Sequence, residues 1–117
     1  MNHALEICYT KPFHSDALVA IDWKSKTVGT EAARDSIKSL IRDFDNQVRL
    51  FPDSGKSIDI APIGERYSEL IKGDYRFVFK TEADINGKKS IYVLMFCHQR
   101  MNFETLMRQR HITTLIR

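Results

Sequence analysis

Three residues in the second half of the chain carry groups suited to chemistry on a charged substrate. Arg76 lies early in one strand-like run, and His98 and Arg100 leave another where its apolar stretch stops. Two guanidinium groups can hold a phosphate through paired N–H donors. An imidazole can give or take a proton near neutral pH. Strand ends and the loops after them are where such groups are commonly presented. A plainer arrangement uses the same residues: Arg76 pairs with an acid such as Glu69, and His98 merely ends its strand. Other chemistries find no matching residues. The chain has no Gly-rich phosphate loop, no HExxH and no CxxC pair, so no cofactor or metal is expected. Asp43 and Asp45 face different ways on a helix, and His3, His14 and His111 have no companions. Cys8 and Cys97 fall inside strand-like runs, which suits buried thiols rather than a disulfide framework or a zinc site.

The elements that must position these groups lie between residues 67 and 100. Three strand-like runs are separated by Lys72-Gly73-Asp74 and by Asn86-Gly87, the second being a hairpin signal. Tyr75, Phe77 and Phe79 share one face of the middle run, with Arg76, Val78 and Lys80 on the other. Residues 91–97 are apolar or aromatic throughout, which predicts a central strand buried on both faces.

Upstream, Leu5, Ile7 and Tyr9 alternate as one face of a short strand. Thr10 is placed to cap a helix with Pro12 in its first turn, running to about Lys24. Phe13, Ala17, Ala20 and Ile21 form its apolar stripe, and Trp23 is expected in the core. After a polar break over 24–29, Thr30 is placed to cap a second helix reaching about Leu50. Ile37, Leu40, Ile41, Phe44 and Val48 follow its helical spacing, and Phe51 continues it until Pro52. Residues 56–64 read as a loop with a small edge strand, and a short helix from Asn102 can close the chain. The order β-α-α-β-β-β predicts one α+β domain over residues 1–117: two helices on one face of a twisted, mainly antiparallel sheet. Its open face and edges invite a partner chain.

The hydrophobic fraction of 43% supplies a core, and no apolar run approaches a membrane span. The N-terminus lacks a signal peptide's basic start and apolar stretch, so a cytoplasmic protein is expected. The net charge is +3, and four arginines against Glu104 after His98 account for all of it. A basic tail suits an acidic partner, either nucleic acid or protein, or is simply a solvated face.

Several segments together resemble the RelE/ParE family of toxins. Arg49-Leu50-Phe51-Pro52-Asp53-Ser54-Gly55 is similar to the leucine-phenylalanine-proline-x-x-glycine ending of that family's second helix. Residues 67–79, with Glu69-Leu70 and Gly73-Asp74-Tyr75-Arg76, resemble its paired-strand motif, and the strand ending His98-Gln99-Arg100 resembles its last strand. The match spans about residues 4–106 and rests on the order and spacing of the motifs. The resemblance implies the toxin of a bacterial or plasmid type II toxin–antitoxin pair, held as a hetero-oligomer by a cognate antitoxin with an acidic wrapping segment. One branch of the family cuts messenger RNA on the ribosome, using lysines, a mid-strand arginine, a basic residue and a tyrosine. The other poisons DNA gyrase. Arg76 matches the mid-strand arginine. Gln99 and Phe103 stand where a basic residue and the tyrosine belong, and a phenylalanine exchanges no proton. The gyrase-directed branch is therefore favoured, with Arg76, Arg100, Phe103, Arg108 and Arg110 as partner-binding residues. In the alternative, a ribosome-dependent endoribonuclease, Arg76, His98 and Arg100 are catalytic. A third reading is a non-toxic module that keeps only the antitoxin contact.

Overall fold

Glu6–Tyr9 forms the first strand, β1, and Leu5, Ile7 and Tyr9 pack on the core as their alternation predicts. The structure, a computed structural model, describes residues 5–60, 65–100 and 105, with the backbone alone at 59, 60, 65 and 66. Helix α1 spans Lys11–Val28, with Pro12 in its first turn. Thr10 precedes it without capping it. Its hydroxyl instead donates to the Val93 carbonyl at 2.8 Å, which pins the strand-to-helix corner to the sheet.

The helix runs past Lys24 to Val28, and the break before α2, Thr30–Leu50, shrinks to Gly29. Nothing in residues 24–28 opposes helix, whereas Gly29 takes φ 89°, which a side chain resists. Thr30 is thus the first helical residue and not the cap.

Four further strands follow: β2 Lys56–Ile60, β3 Glu65–Lys72, β4 Tyr75–Ala83 and β5 Lys89–His98. The sheet order is β1-β5-β4-β3-β2. β1 runs parallel to β5 and every other pair is antiparallel. This is the expected α+β architecture, two helices packed with a mostly antiparallel sheet. β5 has a strand on each side, and its buried positions include Ile91, Val93, Met95, Phe96 and Cys97. Within the 56–64 segment the described residues, Lys56–Ile60, form the expected edge strand.

On the helix side of the sheet, Phe13, Phe44, Phe77, Phe79 and Phe96 form the centre of the core. Phe77 lies between Phe44, stacked at 4.3 Å, and Phe96, edge-on at 5.0 Å. The opposite face carries a second buried cluster of Tyr67, Val78, Met95 and Cys97. Three expectations fail locally. Trp23 is 70% exposed, because Lys24 is the residue that continues the stripe of Phe13, Ala17 and Ala20 one turn on. Phe51 is 63% exposed, because the chain has left the helix there, at φ −135°, and helical spacing no longer aims it. Cys8 is exposed, since it points away from Ile7 and Tyr9 on an edge strand, while Cys97 is buried. Among the described residues no helix is long and apolar enough to cross a membrane.

Candidate functional site

The β4–β5 hairpin decides where the reactive side chains go. From its turn, Ala83 pairs with Lys89, and the register runs evenly to Phe79 opposite Val93. There it slips by one residue, so that Val78 pairs with Met95, Arg76 with Cys97 and Tyr75 with His98. Leu94 is the extra residue of a β-bulge, and beyond it the in-and-out alternation of β5 is reversed while paired residues still share a face.

The consequence is that Arg76 and His98 stand on opposite faces of the sheet. Arg76 shares its face with Glu69, Val78 and Cys97. Its Nε lies 2.6 Å from Glu69 Oε1, and both side chains are largely buried, at 14% and 12% exposed. The plainer role for Arg76, pairing with Glu69, is therefore what the structure displays. Strand pairing explains the choice of acid, because Glu69 sits diagonally across β3, within reach of a long side chain on the same face.

His98 lies on the helix side, at the end of β5, against Tyr75. The two rings meet edge to face at 5.5 Å, and Tyr75 stacks on Phe96 at 4.8 Å. The backbone N–H of Arg100 donates to His98 Nδ1 at 3.2 Å, so the neutral ring carries its proton on Nε2. The Gln99 N–H donates to the Asp74 carbonyl at 2.8 Å, closing the loop onto the start of β4. Burial, and then the Asp74 carboxylate, push the Tyr75 phenol above its ordinary range, which keeps it protonated at neutral pH. The Arg100 backbone is thus tied to His98, and Arg100 itself is exposed. The structure brings His98 and Arg100 together, adds Tyr75, and leaves Arg76 on the far side. Phe103, Arg108, Arg110 and the helix expected from Asn102 lie outside the described residues.

Tyr75 escaped the sequence reading because its alternation with Phe77 and Phe79 marked it as core. It is in fact only partly buried, and its ring meets that of His98 edge to face. The signal that could have found it is the Asn86-Gly87 turn, from which pairing can be counted back to within one residue of His98.

A second polar cluster joins β1 to α2. Tyr9 donates its O–H to Asp45 Oδ1 at 2.7 Å, and Arg49 Nε donates to Asp45 Oδ2 at 2.8 Å. Arg49 also reaches the Leu5 carbonyl at 3.2 Å. Burial first, and then Asp45, push the Tyr9 phenol far above its ordinary range. The cluster forms one wall of an open groove of about 330 Å3, lined by Tyr9, Lys38, Ile41, Arg42 and Asp45. Among the described residues no group of three or more His, Cys, Asp or Glu side chains is arranged to hold a metal ion.

No family model matches the chain, and no curated protein matches it either. Among solved structures it is similar to a chain of the "Chromosomal ParDE TA system from P. aeruginosa", with a TM-score of 0.60 and 15% sequence identity. The superposition covers 83% of this chain and 98% of that one. At this identity the likeness is one of fold.

Proposed function

We propose that this chain is the toxin of a type II toxin–antitoxin pair, that it arrests growth by poisoning DNA gyrase, and that a cognate antitoxin neutralises it. The observation that carries the choice of target is the Arg76–Glu69 pair. A nuclease needs its arginine free to meet a scissile phosphate beside the proton-transfer group. Here the arginine is held by a carboxylate at 2.6 Å, on the face of the sheet away from His98. With that residue engaged, the chain retains its net charge of +3 for binding an acidic partner, and Arg76 is not assembled with His98 into a phosphate-cleaving set. The fold likeness to a chain of a ParDE system and the motif order support the toxin–antitoxin part of this reading, and not the choice of target. Arg100, with Phe103, Arg108 and Arg110, contacts gyrase or its bound DNA, and the antitoxin covers the toxin before release.

The test is a supercoiling and DNA-cleavage assay with gyrase and toxin freed from antitoxin. Lost supercoiling or trapped double-strand breaks support the reading, and unaffected gyrase refutes it. One observation favours a second reading. The Tyr75 ring, edge-on to His98 and next to Arg100, supplies a phenol for a proton-transfer set that does not need Arg76. Codon-dependent cutting of translated messenger RNA, lost on Tyr75→Phe and on His98→Gln, would establish ribosome-dependent cleavage in place of gyrase poisoning. Normal growth on overexpression of a folded protein would leave only the antitoxin-binding module.

A further inference from the structure

The turn between β4 and β5 is closed by its own hydrogen bonds. The Gly87 N–H donates to the Asp84 carbonyl at 3.0 Å, and the Asp84 N–H donates to the Lys88 carbonyl at 2.9 Å. Asp84 Oδ1 accepts from the N–H groups of Asn86 and Lys88, each at 2.9 Å. Gly87 supplies the positive φ, at 81°. Asp84 and Gly87 are residue types that such a turn asks for. Ile85 serves the turn in no comparable way. It carries a β-branched apolar side chain where polar ones are usual, and it is as exposed as in a free peptide, at 102%.

Ile85 does not stand alone at this end of the molecule. Gly87 and Lys89 line a pocket of about 200 Å3 with Leu5, Arg49 and Pro52. Between Arg49 and Pro52 in the chain, Leu50 and Phe51 are both largely exposed. Three large apolar side chains at one end exceed the scattered exposure that any surface shows. The cation of the tip is Lys88, which is exposed and makes no ion pair with a described residue. Lys89 reaches Asp53 only at 3.7 Å.

We infer that the β4–β5 turn is a recognition tip, with Ile85 as the anchor that enters an apolar pocket on a folded target protein and Lys88 meeting a carboxylate at the rim of that pocket. Shape sets the class of partner. The tip is convex, so the partner supplies the cavity, which a folded surface has and a single peptide segment lacks. Nucleic acid is the poorer fit, since an aliphatic side chain offers no face for a base to stack on and the Asp84 carboxylate repels phosphate. A tip whose N–H groups at 84, 86, 87 and 88 are already bonded loses little freedom on docking, so the gain from burying Ile85 is retained. The ten-residue β5 separates the tip from His98 by about 30 Å, which makes this contact distinct from any made by Arg100. The identity of the target rests on the toxin reading: it is the protein whose block arrests growth, DNA gyrase.

The experiment expresses the full chain in cells without antitoxin and reads growth, then repeats the comparison with purified protein in the gyrase supercoiling assay. Ile85→Ser suits an exposed turn position, so its soluble level and urea midpoint should match the wild type. It should need about tenfold more protein for the same arrest and for the same loss of supercoiling. Ile85→Val should stay within about threefold of the wild type, and Lys88→Glu should fall in between. Arrest by the wild type with an equally potent Ile85→Ser overturns the tip and leaves the toxin reading standing. A loss in Lys88→Glu without one in Ile85→Ser indicates a nucleic-acid contact and overturns it too. No arrest by the wild-type chain defeats the toxin reading and the tip with it. Arrest that Ile85→Ser weakens while gyrase is untouched defeats only the choice of gyrase and upholds the tip. If Ile85→Ser misfolds, amide hydrogen exchange of the wild-type chain with gyrase decides: protection of residues 84–89 upholds the tip, and its absence overturns it.

Discussion

Arg76→Ala should unfold the protein more readily before it does anything to its activity. The guanidinium and the Glu69 carboxylate are 2.6 Å apart and only 14% and 12% exposed. Removing the arginine leaves a carboxylate in a poorly hydrated place without its 2.6 Å partner. Breaking a fully buried pair costs roughly 3–5 kcal/mol, and an exposed pair contributes about 0–1 kcal/mol. The small remaining exposure places Arg76→Ala at roughly 2–4 kcal/mol, a large fraction of the ~5–15 kcal/mol of a domain this size. Arg76→Met with Glu69→Leu removes both charges and should lie within about 1 kcal/mol of the wild type, since replacing a buried pair by apolar groups is often neutral or better. Equilibrium unfolding in urea, with all four corners of the cycle at equal salt, gives the coupling energy directly. The doubly substituted chain should also keep its growth inhibition. An Arg76→Ala midpoint equal to the wild type would refute the structural role of the pair. A stable doubly substituted chain with no activity at all would return Arg76 to the active chemistry.

Four further outcomes follow from single features. Gly55→Ala should cost about 1–3 kcal/mol by thermal or urea unfolding, because a Cβ there would lie 2.6 Å from the buried ring of Phe79 and overpack it. Arg100→Glu should abolish growth inhibition with an unchanged unfolding midpoint, since the residue is exposed and its contribution is to the partner; surviving toxicity would make it part of a solvated face. His98→Gln should leave gyrase inhibition nearly intact, and a large loss of messenger RNA cleavage in the same variant would favour the nuclease. Tyr9 gives a pH signature. Its folded-state phenol is raised above the unfolded value, so its contribution to stability is complete below about pH 10 and is lost as pH climbs through the raised folded value. Stability measured across alkaline pH should therefore fall less steeply in Tyr9→Phe than in the wild type, and identical slopes would exclude Tyr9 as the source.

Much of this architecture is local and was legible in the chain itself. The apolar stripe of α2, the Asn86-Gly87 turn and the unbroken apolar run of β5 each reflect a periodicity or a φ preference that a few neighbouring residues determine. The leucine-phenylalanine-proline-x-x-glycine stretch was readable as a motif, while its physical reason was not: Gly55 passes over the Phe79 ring, a residue distant in sequence. Trp23 went astray for a similar reason, since composition says that a tryptophan prefers burial and only the helix rotation says which side it takes. The candidate site depends on a smaller event still. Counted evenly from the hairpin turn, Arg76 and His98 would share a face, as their types invite one to expect. One extra residue at Leu94 turns His98 toward Tyr75 and leaves Arg76 with Glu69. The residue types are written in the sequence, but a strand's two faces alternate with a period of two. A single-residue bulge reverses that alternation at almost no local cost, so pairing across the sheet, and not the order of residues along it, decided which groups meet.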